Sequence, residues 1–249
     1  MSANPMLAVI GGSGVYSLEG LSNTEVLSVK TPFGDVDVTL GIFEGRQLAF
    51  LCRHGSGHKL PPHKINYRAN LWALHSLGVK QVIAINAVGG IEDNCAPGVI
   101  VIPDQIIDYS YGREHTFAEQ ITEQFNHVEF AQPYSVVLRR QLVTASQKAG
   151  EAIVDGGCYA CTQGPRLESA AEIKRLMRDG NTVVGMTAMT EAGLARELGV
   201  DYVSLCIVAN WAAGLDDTPI TMDDIFTVLK TSIARAQRIL AAHVSNLSA

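Results

Sequence analysis

Short apolar runs alternate with amphipathic stretches along the chain, and turns rich in glycine or polar residues separate them. The apolar runs have the length of buried strands, and the amphipathic stretches have helical spacing. We predict strands at 7–10, 36–40, 47–52, 81–86, 99–103, 105–108, 154–162, 183–186 and 202–208. We predict helices at 66–77, 135–149, 169–179, 190–198 and 221–246. This alternation predicts a single α/β domain over 1–249, whose central mixed, largely parallel β-sheet is flanked by helices, with antiparallel strands from the early meander.

Local signals support several of these boundaries. Ser169 precedes a predicted helix and Glu172 follows three residues later, which is a capping-box pattern. The strand at 81–86 is expected to end in a small-residue turn at 87–90. The polar stretch 112–132 has weak periodicity, so we predict a long functional loop with a little helix.

The first strand runs directly into Gly11-Gly12-Ser13-Gly14. Glycines let backbone N–H groups turn toward an anion, and Ser13 adds a side-chain donor. The spacing fits no nucleotide motif: Ser17 stands where a dinucleotide fingerprint needs its third glycine, and no lysine follows as in a Walker loop. An anion-binding loop and a tight structural turn both remain open on this evidence alone.

Composition narrows the function classes. Because 47% of the residues are apolar and 18% are charged, we do not expect the chain to be disordered. The net charge of −6 argues against nucleic acid as a partner, although a few placed cations can still attract an anionic substrate.

The cysteines and the lengths of the apolar runs indicate in which cellular compartment we expect the protein. Five scattered cysteines predict reduced thiols and a cytoplasmic protein, and Cys158 and Cys161 fit core packing better than a redox or metal site. The N-terminus has no basic region of the signal-peptide kind, and no apolar run reaches about 18 residues, so no membrane partner is expected.

Polar side chains collect where the predicted strands end. In open α/β sheets the ligand binds at the carboxyl ends of the strands. A guanidinium, an imidazole and several neutral donors suit phosphate, and the absence of an Asp/Glu cluster for Mg²⁺ favours free phosphate over a nucleoside triphosphate. The candidates are Ser13, Arg53, His54, the backbone of Ala87, and Thr187.

Five motifs, in order from about residue 7 to about residue 240, resemble the trimeric purine nucleoside phosphorylases, most closely the methylthioadenosine phosphorylase branch. They are Gly11-Gly12-Ser13-Gly14, Arg53-His54-Gly55, the run 63–70, the run 163–169 and Gly185-Met186-Thr187. The resemblance implies cleavage of a purine nucleoside by inorganic phosphate as co-substrate, with no other cofactor and no metal. It also implies a homotrimer with sites at subunit interfaces.

The resemblance also implies roles for individual residues. Ser13, Arg53, His54, Ala87 and Thr187 match phosphate-site positions. The other matches are Met186 beneath the ribose, His127 lent to a neighbouring subunit near the 5′ end, and Met222, Ile225 and Phe226 around the 5′ substituent. Their apolar character suits a methylthio group. His127 also fits a solvated loop histidine, and the three residues of the last helix also fit its buried face.

The chain departs from the adenine-specific pattern at the base. Asn210 and Ala212 stand where that branch has an Asp-x-Asp pair. An Asn offers a donor to O6 of a 6-oxopurine and an acceptor to N7–H. Asn210 could instead cap a turn, and Asp216 and Asp217 could replace the missing acids, although solvated side chains are expected there.

We therefore expect Asn210, with Arg53 and His54, to carry the catalysis, and Ala212, Leu167 and Glu168 to complete the base site. The combined pattern predicts 5′-methylthioinosine as substrate. The alternatives are an enzyme that cleaves methylthioadenosine, one that cleaves 6-oxopurine nucleosides in general, and a non-catalytic nucleotide-binding module.

Overall fold

The computed structural model describes residues 7–55, 57, 59–118, 127–217 and 221–247. Within this part of the chain, strands and helices alternate, and the strands join one eleven-stranded sheet. The strands are β1 (Leu7–Gly11), β2 (Ser22–Val29), β3 (Val36–Phe43), β4 (Arg46–Cys52), β5 (Gln81–Gly90), β6 (Ile100–Ile102), β7 (Gln105–Asp108), β8 (Ile153–Asp155), β9 (Cys158–Cys161), β10 (Val183–Gly185) and β11 (Asp201–Trp211). The helices are α1 (Tyr67–Ser76), α2 (Val136–Lys148), α3 (Ala170–Arg178), α4 (Ala188–Glu197) and α5 (Met222–Asn246).

Strand β5 is the branch point of the sheet. Its first residues pair in parallel with β1 on one edge and with β11 on the other. Its last two residues, Gly89 and Gly90, pair antiparallel with β10. Because β4, β1, β5 and β11 are parallel neighbours, their carboxyl ends lie together at one edge. The predicted mixed, largely parallel sheet flanked by helices is confirmed, and the early meander supplies antiparallel pairs.

The predicted turn at 87–90 is wrong, because β5 continues through Gly90. The glycines are needed for close packing rather than for a chain reversal. A Cβ on Gly90 would lie 1.9 Å from the carbonyl oxygen of Cys95, and one on Gly89 would lie 3.1 Å from Val184. The extended backbone carries Ala87 into the cavity described below.

Three other strand predictions need correction. The single strand predicted at 154–162 is two strands, β8 and β9, because Gly156 and Gly157 adopt φ of 110° and 104° between them. Strand β11 extends three residues past the predicted end and carries Asn210 within it, after a bulge that follows Val208. Strand β2 was not predicted, since it is exposed along almost its whole length and has no buried face.

The helix predictions are confirmed to within a few residues. Ser169 accepts a hydrogen bond from the backbone of Glu172, and the Glu172 side chain accepts one from the backbone of Ser169, so both halves of the capping box form. The described parts of the predicted loop, 112–118 and 127–132, contain neither helix nor strand, and 119–126 lie outside the described residues. Of the helices in the described ranges, none combines the length and apolarity needed to cross a membrane.

The cysteines are free thiols, as predicted. Cys161 packs against Tyr159 and Cys206 in a buried cluster, and Cys158 is half-buried at the start of β9. Burial raises the pKa of the Cys161 thiol to about 12, so this sulfur stays protonated. Within the described ranges, no group of three or more His, Cys, Asp or Glu side chains could hold a metal ion.

Candidate active site

A cavity of about 280 Å³ opens at the edge of the sheet where β1, β4, β5 and β11 end. Segments far apart in sequence form its wall, from the glycine loop after β1 to the first turns of α5. With the exception of His127, every predicted site residue lines it. These residues are Ser13, Arg53, His54, Ala87, Leu167, Glu168, Met186, Thr187, Asn210, Ala212, Met222, Ile225 and Phe226.

The glycine loop lies directly against Arg53. A Cβ on Gly12 would lie 2.5 Å from Arg53 Nη1 and 2.6 Å from the Ile85 carbonyl oxygen. Gly14 adopts φ of 81°, a conformation that suits glycine, and the loop closes with a 3.0 Å bond from Val15 N to Gly12 O. Glycine is therefore required so that a guanidinium fits beneath the loop. Ser13 stays half-buried at the cavity wall.

Arg53 is buried and held by three hydrogen bonds. Its Nε donates to Glu191 Oε1 at 2.5 Å, its Nη2 to Glu191 Oε2 at 3.0 Å, and its Nη1 to the Ile85 carbonyl at 3.0 Å. Burial lowers the pKa of Arg53, but the Glu191 carboxylate more than offsets this, so the pKa is raised and the charge is permanent. A guanidinium has five N–H groups, and 5 − 3 leaves two for a ligand.

Thr187 and Asn86 form a second pair in the cavity wall. Asn86 Nδ2 donates to Thr187 Oγ1 at 2.9 Å, and both side chains are buried. Asn86 Oδ1 has no hydrogen-bond partner among the described residues. Thr187 is also the N-cap of α4, and its hydroxyl makes no capping bond to the helix. Because the positive end of a helix dipole favours anions, this corner of the cavity suits phosphate.

His54 is buried beside Arg53 and lines the same wall. Its Nδ1 lies 2.8 Å from the Leu60 carbonyl oxygen. A carbonyl only accepts, so Nδ1 carries the proton of this bond, and the ring orientation is fixed.

The predicted base site contains one amide and one carboxylate. Asn210 Nδ2 donates to the Trp211 carbonyl at 2.6 Å, which anchors the amide and leaves one N–H and the side-chain oxygen. Glu168 Oε1 accepts a 2.7 Å hydrogen bond from Thr162 Oγ1. Ala212 is buried, so the position of the second acid in the adenine-type pattern offers only a methyl group.

Three residues of α5 close the far end of the cavity. Met222, Ile225 and Phe226 stand at i, i+3 and i+4 and so share one helix face. Met222 is 59% exposed and Phe226 is 44% exposed. Both therefore offer apolar surface at the mouth of the cavity rather than in the core, while Ile225 also packs against the main core.

Three other predicted positions lie away from the cavity. His127 is exposed and does not line the cavity within one chain, so both interpretations given above for this residue stay open. Asp216 and Asp217 are exposed and also lie outside the lining.

Sequence reasoning missed Arg113, which lies in the predicted functional loop. Its Nη1 donates to the Met186 carbonyl at 2.8 Å, and its Nη2 donates to the carbonyls of Thr162 and Gln163 at 3.0 and 2.8 Å. A buried arginine thus ties together two strand ends that lead into the cavity wall. Its position in an aperiodic loop gave no pattern from which this could be found. Glu191 was missed for another reason, since its partner Arg53 lies 138 residues away in sequence.

The family model of the phosphorylase superfamily matches residues 6–245. The chain belongs to this superfamily. The match spans the glycine loop, the strand ends and the helix that closes the cavity, so the whole site described above lies within the matched region.

Relatives of this phosphorylase include proteins with two kinds of name. The chain is 50% identical over 231 residues to the "Probable S-methyl-5'-thioinosine phosphorylase" of Xanthomonas campestris pv. campestris, covering 91% of this chain and 92% of the relative. It is 44% identical over 244 residues to the "6-oxopurine nucleoside phosphorylase" of Pyrococcus furiosus, covering 96% and 92%.

Solved structures share the fold. A methylthioadenosine phosphorylase from Schistosoma mansoni in complex with adenine superposes with a TM-score of 0.92 at 28% identity, covering 98% of this chain and 92% of that one. A methylthioadenosine phosphorylase from an antarctic soil metagenomic library gives a TM-score of 0.90 at 32% identity, covering 99% and 88%.

Proposed function

We propose that this phosphorylase cleaves 5′-methylthioinosine with inorganic phosphate, giving hypoxanthine and 5-methylthioribose 1-phosphate. One observation carries the proposal: Asn210, Glu168 and the apolar residues of α5 line the same cavity as the phosphate-type donors. Relatives named for thioinosine and for 6-oxopurine nucleosides support it.

The base-site chemistry favours a 6-oxopurine. Hypoxanthine carries a hydrogen on N1 and an acceptor at O6, whereas adenine has an acceptor at N1 and a donor at position 6. A carboxylate such as Glu168 accepts from N1–H, and the free N–H of Asn210 donates to O6. Adenine would leave these groups unpaired or opposed, and a mismatched buried polar group costs about 1–3 kcal/mol.

The phosphate end is built from donors. We assign phosphate binding to the two remaining N–H groups of Arg53, the hydroxyls of Ser13 and Thr187, the imidazole of His54 and the Ala87 backbone N–H. Two N–H groups on one planar guanidinium match two oxygens of a phosphate. These residues already line the same cavity, so we expect binding to need little rearrangement.

The chemistry follows from charge. As the bond between C1′ and N9 breaks, the ribose becomes oxocarbenium-like, and a phosphate beside it stabilises and then captures the cation by forming the bond from oxygen to C1′. The base leaves with the glycosidic electron pair and takes a proton at N7. The hydrogen phosphate gives up one proton as it becomes the sugar phosphate ester, and this proton balances the one gained by the base. Asn210 Oδ1 accepts from that N7–H, a bond made only as the base departs, which is why Asn210 is assigned to catalysis along with Arg53 and His54.

The 5′ end and the assembly complete the proposal. Met222, Ile225 and Phe226 offer apolar surface to a methylthio group, and Met186 lies beneath the ribose. We propose a cytoplasmic homotrimer in which His127 of one subunit reaches the 5′ end of its neighbour's site. The exposure of His127 and the five free thiols are the features that support this. The reaction needs phosphate as co-substrate and no further cofactor.

A second candidate is a general 6-oxopurine nucleoside phosphorylase. The exposure of Met222 and Phe226 favours it, since a cavity with an open 5′ end excludes a 5′-hydroxyl less strictly. The name of the Pyrococcus relative points the same way.

Product analysis separates these functions. Incubated with 5′-methylthioinosine and phosphate, the purified protein is expected to release hypoxanthine and a sugar phosphate in equal amounts, and to release neither without phosphate. Base release independent of phosphate would indicate a hydrolase, and no release from any purine nucleoside would indicate a binding module. Inosine cleaved as efficiently as methylthioinosine would favour the second candidate.

A further inference from the structure

Glu191 is a buried carboxylate that the proposed reaction does not use. It lies in the first turn of α4, has no exposed surface and is not part of the cavity lining. A buried carboxylate costs free energy unless it is fully paired. Its position therefore points to a role through the side chains that it holds.

The contact with Arg53 uses one edge of the guanidinium. Nε and Nη2 face the two Glu191 oxygens at 2.5 and 3.0 Å, and Nη1 is tied to the Ile85 carbonyl. Two parallel bonds to one carboxylate stop the planar group from rotating. The end of the guanidinium, between Nη1 and Nη2, keeps an N–H on each nitrogen, in the same geometry for a second oxyanion.

Tyr202 fixes Glu191 in turn. Its hydroxyl donates to Glu191 Oε2 at 2.7 Å, and burial raises the pKa of Tyr202 well above its ordinary value, so the hydroxyl keeps its proton. Its ring stacks on Tyr134 with centroids 6.1 Å apart and an interplanar angle of 15°. Tyr202 belongs to β11, the strand that also carries Asn210. One chain of contacts thus joins β11, α4 and the end of β4.

We propose that Glu191 and Tyr202 are positioning residues for the phosphate co-substrate, holding the Arg53 guanidinium so that two of its N–H groups face the phosphate. The inference rests on the proposed function only in taking phosphate as the ligand of Arg53. Because Glu191 also balances the charge of Arg53, phosphate is held by directed hydrogen bonds rather than by an uncompensated cation.

The test is Tyr202→Phe, with Tyr134→Phe as the matched control. Each change removes one hydroxyl from the same stacked pair, but only the first removes a bond to Glu191. We expect Tyr202→Phe to raise the phosphate KM about threefold to tenfold, with the nucleoside KM changed by less than about twofold. Tyr134→Phe is expected to leave both constants near wild type. An unchanged phosphate KM in Tyr202→Phe, or equal rises for both substrates, would overturn the proposal.

Glu191→Gln is a second, independent test of the positioning role. It keeps the shape of the side chain and one acceptor but loses the charge and the two-bond fork, so a phosphate KM raised by about tenfold or more is expected, at an unchanged nucleoside KM. Thermal denaturation shows which variants fold. The phosphate KM of either folded variant is by itself a test of the positioning role. If the wild type itself releases no base with phosphate, the proposed function fails; if it does and both folded variants saturate normally with phosphate, only the positioning role fails.

Discussion

Asn86 Nδ2 donates a hydrogen bond to Thr187 Oγ1 over 2.9 Å, and this contact decides what Thr187 can offer a ligand. An oxygen that accepts from Asn86 directs its own hydrogen elsewhere. Since the Thr187 hydroxyl makes no cap to α4 and lines the cavity, it is set to donate to an anion. The arrangement makes Thr187 a donor in the part of the cavity where we propose that phosphate binds.

Replacing Thr187 with valine removes this donor at nearly constant volume and leaves Asn86 Nδ2 unpaired. We expect the phosphate KM to rise about tenfold and the nucleoside KM to change little, measured by steady-state kinetics with each substrate varied in turn. Thr144→Val in α2, where the hydroxyl bonds to the Arg140 carbonyl far from the cavity, is the control. A phosphate KM equal in the two variants would contradict the role of Thr187.

The carboxylate of Glu168 is expected to read N1–H of the base. Glu168→Gln replaces an acceptor that carries charge with an amide, and should lower kcat/KM for methylthioinosine by about tenfold to a hundredfold. The loss for methylthioadenosine should be smaller, because adenine has no hydrogen at N1. Glu172→Gln is the control, since that carboxylate serves the capping box and pairs with Arg166. Equal losses for both nucleosides would argue against base reading.

Asn210→Asp tests the other half of the base site. An aspartate accepts from a 6-amino group and repels O6, so the ratio of kcat/KM for methylthioadenosine over methylthioinosine should rise by about tenfold or more. Competition between the two nucleosides in one reaction measures this ratio directly. The interpretation fails if both rates fall in proportion and the ratio stays where it is in the wild type.

Because His243 is buried, we predict that the folded protein loses stability in acid. Burial lowers its pKa from 6.5 to about 4, and its Nε2 has no hydrogen-bond partner among the described residues. Between these values the unfolded chain binds a proton that the folded chain does not, so the free energy of unfolding rises with pH from about 4 to about 6.5 and is level above. At 1.36 kcal/mol per unit, 6.5 − 4 = 2.5 units correspond to about 3 kcal/mol at most.

Urea unfolding between pH 4 and 7 measures this effect in the wild type and in His243→Gln. The wild type should lose more free energy of unfolding on acidification than the variant, by up to about 3 kcal/mol. His115→Gln, in the exposed part of the loop, is the matched control for exchanging a histidine for glutamine. If the free energy of unfolding falls by the same amount in the wild type and in His243→Gln, then His243 does not cause the loss of stability in acid.

The strand ends explain why so much of the site could be predicted. Buried strands are visible as apolar runs, and in a parallel sheet the residues that follow them gather at one edge. Arg53 follows the parallel strand β4 and lies at this edge, as that rule predicts. Thr187 reaches the same edge for another reason, because β10 runs antiparallel to the last residues of β5 and so returns toward it. Asn210, the proposed base reader, lines the cavity although the predicted strand stopped short of it, because the resemblance and not the strand boundary had singled it out.

What escaped prediction depends on contacts between distant segments. Glu191 is one acid in a helix, and its partner Arg53 is 138 residues away. Strand β2 has no buried face and so no alternation to detect. Gly89 and Gly90 look like a turn in sequence, but they lie in a strand because neighbouring atoms leave no room for a Cβ. Each of these features is determined by the packed fold rather than by local pattern.

The ratio of kcat/KM for 5′-methylthioinosine over 5′-methylthioadenosine, measured on the wild-type protein at saturating phosphate, tests the central claim most directly. The two nucleosides differ only at the groups that Asn210 and Glu168 are proposed to read. We expect a ratio of about 100 or more in favour of methylthioinosine. A ratio near one, or in favour of methylthioadenosine, would contradict the assignment of this site to 6-oxopurines.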